Sequence, residues 1–259
     1  MRVTSRDKAM DRLHRKVEDF KAIQTPSLLI IRKAPRGISA PRGRLGIFPA
    51  SFNPPTKAHL ALIREAKRQH QLKEILVLLD LAPMDKRITG ASIEDRLIMM
   101  KILFQRDPNV SIGLSNRGRF VDKLAPLRKL YPVPVGFLFI VGFDTILRVM
   151  DERYYRDRLR AIARLFQECQ FWIAHRGDER EDSFEDFFRR KENREYRNRV
   201  SFFVLPEEVS FLSSSLVRKT IRQGKSATGL VPPKILRFIQ DTGLYQTRDR
   251  RNPLRIISS

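Results

Sequence analysis

The sequence predicts an α/β protein with a mainly parallel, doubly wound sheet and helices on both faces. Three observations carry that prediction. Apolar runs at 45–48, 74–81, 109–114, 136–141, 170–174 and 200–205 alternate with helical patterns at 56–70, 92–106, 119–130, 154–168 and 183–197. The runs are continuous rather than alternating, as strands covered on both faces require. Strands separated by helices imply parallel neighbours joined by right-handed crossovers. In such sheets a ligand sits at the carboxyl ends of the strands, and the polar motifs below fall there.

In chain order, residues 5–24 read as an amphipathic helix, because Met10, Leu13, Val17 and Phe20 follow a 3-4-3 spacing among Asp, Arg and Lys. Its narrow apolar stripe suits a helix docked on the domain better than a basic helix for a membrane or partner. Pro26 closes the pattern, Leu28-Leu29-Ile30-Ile31 forms a short strand, and 34–44 is a turn-rich basic loop. Residues 1–44 are therefore a basic N-terminal extension, 45–245 the main domain, and 246–259 a basic tail.

Hydrophobic residues make up 42% and charged residues 31% of 259, the composition of a globular chain of one large domain. No stretch approaches the roughly 18 apolar residues of a membrane span, and the N-terminus lacks a secretory signal pattern. The lone Cys169 has no internal disulfide partner, which suits a reducing cytoplasm. Net charge is +22; residues 1–44 hold 12 basic and 4 acidic residues, whereas 151–199 hold 13 and 12. That excess attracts polyanions, weakly through residues 1–44, or is a solvated basic surface; charge alone does not separate the two.

The richest stretch is Ala50-Ser51-Phe52-Asn53-Pro54-Pro55-Thr56-Lys57-Ala58-His59, leaving a strand and entering a helix. Thr56 and His59, three residues apart, share one face of the first helical turn. There the unpaired N–H groups and the dipole favour an anion. At the end of 136–141, Gly142-Phe143-Asp144-Thr145 offers a Gly that admits a ligand to the backbone. Its Asp144 either accepts from ribose hydroxyls or caps a helix. Ser213-Ser214-Ser215-Leu216-Val217-Arg218 precedes a short helix that Gly224 closes, with Arg218 a planar fork for phosphate or an ordinary surface Arg. In Asp85-Lys86-Arg87, Lys86 is a phosphate candidate or loop solvation. His14 and His70 lie in charged helical surroundings, and His175 ends a strand beside Arg176-Gly177. No zinc spacing, Walker A loop or Gly-x-Ser-x-Gly elbow occurs.

Gly46-Ile47-Phe48, the 51–59 stretch, Gly142-x-Asp144 and Ser213–Arg218 together resemble, in order and spacing, the (H/T)xGH nucleotidyltransferases. Within these the nicotinamide/nicotinate mononucleotide adenylyltransferases are the nearest match. Arg222-Gln223-Gly224, Val231-Pro232-Pro233 and Gly243-Leu244-Tyr245 are similar to that family's ending, and the resemblance covers about 45–245. It departs at Pro49-Ala50, where the family has Gly-Gly, and at Tyr154-Tyr155, where it has Trp. Ser215 replaces Thr, and the family's second acceptor-side aromatic has only Phe120 as a candidate.

The resemblance implies a Rossmann-like fold and adenylyl transfer from ATP to a mononucleotide 5′-phosphate, releasing pyrophosphate. It implies that His59 contacts the α- and β-phosphates with help from Thr56, and that Arg218, Ser213 and Ser214 hold the distal phosphates. Gly142 and Asp144 would hold the adenosine ribose, Ser51 and Phe52 would contact the acceptor, Lys86 its phosphate, and Tyr155 its base. Magnesium would ride on the ATP phosphates, since no carboxylate cluster presents itself. A related enzyme with another phosphorylated acceptor, or a non-catalytic RNA-binding protein on this fold, are the competing readings. Oligomeric state is open, a homo-oligomer included.

Overall fold

The computed structural model describes residues 5–84, 89–175 and 181–246. Its seven strands are β1 (Leu28–Arg32), β2 (Arg44–Pro49), β3 (Glu74–Asp80), β4 (Val110–Ser115), β5 (Gly136–Gly142), β6 (Cys169–His175) and β7 (Val200–Val204). They form one sheet in the order β1-β4-β3-β2-β5-β6-β7. Every pair is parallel except β1, which runs antiparallel to β4 at the edge. The chain moves outward from β2 through β3 to β4, then returns to β5 on the other side of β2. A crevice opens at the carboxyl ends where the order reverses, between β2 and β5.

The helices are α1 (Ser5–Lys21), α2 (Lys57–His70), α3 (Ile93–Phe104), α4 (Phe120–Leu130), α5 (Phe143–Met150), α6 (Arg158–Glu168), α7 (Glu181–Arg189), α8 (Glu207–Ser210), α9 (Ser214–Arg222) and α10 (Pro233–Thr242). They cover both faces, and β3 shows why its run is uninterrupted. Leu76 and Leu78 enter the core formed with Leu124, Ile146 and Leu165 of α4, α5 and α6. Ile75, Val77 and Leu79 enter the opposite core, with Leu13, Leu62 and Leu97 of α1, α2 and α3. Alternate residues of one strand thus serve two apolar layers, so no polar alternation is left to see.

The N-terminal extension is built into this plan. Leu13, Val17 and Phe20 of α1 are buried in the core that α2 and α3 share, and Met10 is half-buried. This is the docked helix that the stripe implies. Among the described residues, no helix is long and apolar enough to cross a membrane.

Three segments differ from the sequence expectation. The single helix expected over 183–197 is α7 followed by a 3-10 segment, Arg194–Arg199. Buried Asn193 breaks it: its Nδ2 donates to Phe187 O at 3.0 Å and its Oδ1 accepts from Arg158 at 2.6 Å. The helix expected from 154 begins at Arg158, where the Asp157 side chain caps the Arg160 N–H. Between β5 and that cap lies α5, too short at 8 residues to show a repeated helical period.

At the opposite end of the sheet from the crevice, the carboxylate of fully buried Glu74 is a polar anchor. It accepts from Tyr131 Oη at 2.6 Å, Ile38 N at 2.7 Å, Lys33 Nζ at 3.3 Å, and the Ser111 hydroxyl. Burial, reinforced by the Glu74 charge, pushes the Tyr131 hydroxyl well above its ordinary range. A Cβ on Gly37 would come within 2.3 Å of this carboxylate, so the loop fits only with Gly there. Glu74→Ala would leave buried donors unpaired and should cost about 3 kcal/mol or more in urea unfolding. Glu74→Gln, which keeps an acceptor, should cost less.

Candidate active site

A cavity of about 350 Å³ opens at the β2/β5 crevice. Three helices present their first turns to it: α2 through Ala58 and His59, α5 through Phe143 and Asp144, and α9 through Ser214 and Ser215. Neither α2 nor α9 carries an acid in its first turn, while α5 carries Asp144. Three positive dipole ends with His59, Arg148 and Arg218, against one carboxylate among the described lining residues, make an anion site.

The wall begins where β2 ends. Pro49 closes the strand without an N–H, and the Ala50 N–H donates to Leu78 O at 3.1 Å, so the sheet uses that amide. Ser51 lines the cavity, and buried Arg96 holds its carbonyl through Nη1 at 3.3 Å. Phe52 takes a left-handed φ of 44° and is wholly buried, its ring centroid 5.4 Å from Phe48 and 5.0 Å from His59. The ring supports the imidazole from below; the acceptor contact expected of Phe52 has only its backbone to rest on.

His59 is oriented from its own helix start. The Thr56 N–H donates to His59 Nδ1 at 2.9 Å, and Thr56 Oγ1 lies 2.8 Å from the same atom. An amide can only donate, so Nδ1 is the acceptor and the neutral ring carries its proton on Nε2. Thr56 is fully buried with its hydroxyl engaged by the ring, which makes it the residue that sets the tautomer.

Asn53, 2% exposed, connects four parts of the chain. Its Nδ2 donates to Thr89 O at 2.8 Å, and its Oδ1 accepts from the Ala91 N–H at 3.3 Å and Tyr245 Oη at 2.8 Å. Its carbonyl accepts from Arg218 Nη1 at 2.7 Å. Arg218 Nη2 donates to Ser215 Oγ at 3.2 Å, while its buried Nε–H has no partner among the described residues. Burial lowers the Arg218 pKa below its ordinary value. A half-buried guanidinium whose buried Nε–H has no partner among the described residues, beside a cavity, is suited to an oxyanion.

The serines divide their work differently from the sequence expectation. Ser213 caps α9 by accepting the Leu216 N–H at 3.1 Å, and the Ser214 hydroxyl donates to Pro54 O at 2.8 Å. Both side chains are thus spent on structure, leaving the helix-start amides for a ligand. Gly142 and Asp144 lie on the facing wall, and a Cβ on Gly142 would meet nothing within 4 Å, so the backbone there is open to approach. Asp144 sits in the first turn of α5, while Gly142 takes the cap position.

Tyr155 lines a separate groove, with its hydroxyl donating to Val149 O at 2.6 Å. Phe120 is a core residue packed on Phe139 and Phe171, which removes it as an acceptor aromatic. Lys86, with Asp85 and Arg87, lies outside the described residues, as do Arg176 and Gly177. His175 is buried without lining the cavity, and His70 packs edge-on against Trp172. Arg148, which no sequence pattern marks, lines the cavity one turn after Asp144 on α5. Asn53, read from the sequence only as part of the turn, and Arg96 owe their importance to long-range bonds.

The chain's residues 47–220 match the cytidylyltransferase-like family model. A Schizosaccharomyces pombe protein provisionally named nicotinamide mononucleotide adenylyltransferase is 27% identical over 219 residues, covering 78% of this chain and 86% of the relative. A Carboxydothermus hydrogenoformans protein named "Probable nicotinate-nucleotide adenylyltransferase" is 27% identical over 208 residues, covering 78% and 98%. The Plasmodium falciparum nicotinic acid mononucleotide adenylyltransferase complexed with NaAD shares the fold, with a TM-score of 0.60 at 20% identity, covering 79% of this chain and 98% of that one.

Two substitutions test the junction at Asn53. Tyr245→Phe removes one hydrogen bond and should cost about 1 kcal/mol in urea unfolding. Asn53→Ala strands the Thr89, Ala91 and Tyr245 groups together and should cost at least twice as much.

Proposed function

The chain belongs to the cytidylyltransferase-like family, and from that premise we propose that it transfers the adenylyl group of ATP to nicotinate or nicotinamide mononucleotide. One observation carries the reading: the first turns of α2 and α9, with His59 and Arg218, line the same cavity as Gly142 and Asp144. The first pair suits a polyphosphate, and the second suits a ribose. The relatives' names direct the choice of acceptor.

In the reaction, a 5′-phosphate oxygen of the mononucleotide forms a bond to the α-phosphorus of ATP. The bond from that phosphorus to the bridging oxygen breaks, and pyrophosphate leaves with the electron pair. The product is a dinucleotide, and no covalent enzyme intermediate is needed. What the protein supplies is alignment and stabilisation of the charge that develops on the oxygens. His59 Nε2–H donates to that charge, with Nδ1 fixed by Thr56 and the ring seated on Phe52. Arg218 and the α9 amides hold the distal phosphates. Gly142 and Asp144 hold the adenosine ribose, and Ser51 stands on the acceptor side. Lys86 is assigned the acceptor phosphate from the family pattern alone.

Asp144 is the one carboxylate among the described lining residues, and a single carboxylate is too few to cage a divalent ion. Magnesium is accordingly assigned to the ATP phosphates. A cytoplasmic location fits the lone, buried Cys169, whose thiol burial pushes well above its ordinary range.

The test is incubation of the protein with ATP, magnesium and a panel of phosphorylated acceptors, scored for pyrophosphate and the matching dinucleotide. Absence of turnover with both pyridine mononucleotides, alongside turnover of another acceptor, would overturn the acceptor assignment. His59→Ala should lower kcat by about 10²–10³-fold with an unchanged circular dichroism spectrum. Near-normal turnover would remove His59 from the chemistry.

A further inference from the structure

Away from the cavity, a groove of about 640 Å³ runs beside the packed helices α4 and α6. Arg119, Arg156, Arg160 and Arg164 edge it, and half-buried Val121 and Tyr155 lie between them. Arg160 and Arg164 stand one turn apart on α6, about 6 Å along its axis. Arg156 continues the row before the helix begins.

What marks this row is that three arginines without a carboxylate edge one groove around an aromatic ring. Among the described residues, the exposed side chains of Arg156, Arg160 and Arg164 make no ion pair and no hydrogen bond. Some surface arginines elsewhere, Arg68, Arg128, Arg153, Arg189 and Arg197, each hold a carboxylate, while others, such as Arg12 and Arg237, have none among the described residues. Arg119 is tied to Asp122 at 2.9 Å. Asp157, the one acid at the groove, accepts the Arg160 N–H at the start of α6. Asp122 and Asp151 lie close enough to act on Tyr155, but each is held by an arginine, Asp122 by Arg119 and Asp151 by Arg153.

Tyr155 gives the groove a second property. Its hydroxyl is fixed inward on Val149 O, and burial pushes its pKa up to about 12, so the groove meets the aromatic ring and not an ionised oxygen. Guanidinium forks spaced along a groove, with a neutral ring between them, match phosphates and a flat base. We propose that this groove binds single-stranded nucleic acid, with phosphates on Arg156, Arg160 and Arg164 and one unstacked base on Tyr155. A single strand is specified because a duplex hides the base faces that a ring can use. The site is independent of the adenylyl-transfer cavity, whose lining residues it does not share.

Fluorescence anisotropy with labelled uridine and deoxythymidine oligomers of about 12 nucleotides tests this. The wild-type protein should bind at about 0.1 M salt. The triple variant Arg156→Gln/Arg160→Gln/Arg164→Gln should bind at least about tenfold more weakly, and the slope of log affinity against log salt should fall by about 2. A charge-matched control, Arg12→Gln/Arg15→Gln/Lys16→Gln on α1, should bind within about twofold of wild type, since it leaves the groove intact. Both triples should retain adenylyl transfer. Equal weakening by the two triples would overturn the proposal in favour of diffuse attraction by net charge. Duplex bound as tightly as single strand would remove the base platform. Full competition by inorganic triphosphate at matched phosphate concentration would reassign the groove to free polyphosphate, and no binding by wild type would end it.

Discussion

The site depends on the buried side chain of Asn53 in the turn after β2. It is a short residue with two donors and two acceptor directions, and almost all of that capacity is used on distant backbone and side chains. Through Thr89 and Ala91 it fixes the segment that leads into α3, and through Tyr245 it fixes the chain beyond α10. Its carbonyl holds Arg218. Gly90, at a φ of 110°, lets the loop pass against the Tyr245 ring, where a Cβ would sit 3.1 Å from it. Four segments separated by up to 192 residues are thereby held around one turn. A buried amide of this kind is costly unless every bond forms, which makes the arrangement all or none.

Within that frame the electrostatics follow from topology. The switch in strand order leaves a crevice, and crossover connections bring helix starts to its rim. Each start contributes unpaired amides and a partial positive charge without the desolvation cost of burying another side chain. The side-chain donors are then few and positioned: neutral His59 by Thr56 and Phe52, cationic Arg218 by Asn53 and Ser215. A second buried pair steadies the neighbouring rim. Lys123, with no exposed surface, reaches Asp80 at the end of β3 at 3.0 Å and the carbonyls of Arg117 and Gly118 at 2.7 and 2.8 Å. Burial raises the Asp80 pKa, with the Lys123 charge opposing it. The Pro49-Ala50 departure is absorbed locally, because Pro49 ends the strand and the Ala50 amide bonds to β3.

Much of the fold was legible because burial on two faces leaves a strong trace. Runs such as 74–81 and 136–141 have no polar alternation, and β3 and β5 appear there within a residue of the expected limits. The start of α2 was equally plain, since Asn-Pro-Pro followed by Thr56 and His59 is local chemistry. The break at Asn193 was not legible, because its cause is Arg158, 35 residues away. Nor was α5, whose 8 residues hold barely two turns. His59, Asp144 and Arg218 stand out in the sequence because each lies where a strand ends or a helix begins, and the fold brings all three to one cavity. Arg148 was missed because its place on the wall depends on a helix that the sequence concealed.

The sequence by itself therefore determined the layer architecture, the end of the sheet at which the crevice opens, and the types of group waiting there. These follow from periodicity and from caps and turns, which act over a few residues. The tertiary structure decided which donors remain for a ligand. It turned the Ser213 and Ser214 hydroxyls and the Ala50 amide to internal use, set the proton of neutral His59 on Nε2, and left Arg218 Nε unmatched among the described residues. It also moved Tyr155 into a separate groove. A polar group's availability depends on every partner within about 3 Å of it, and most of those partners are remote in the chain.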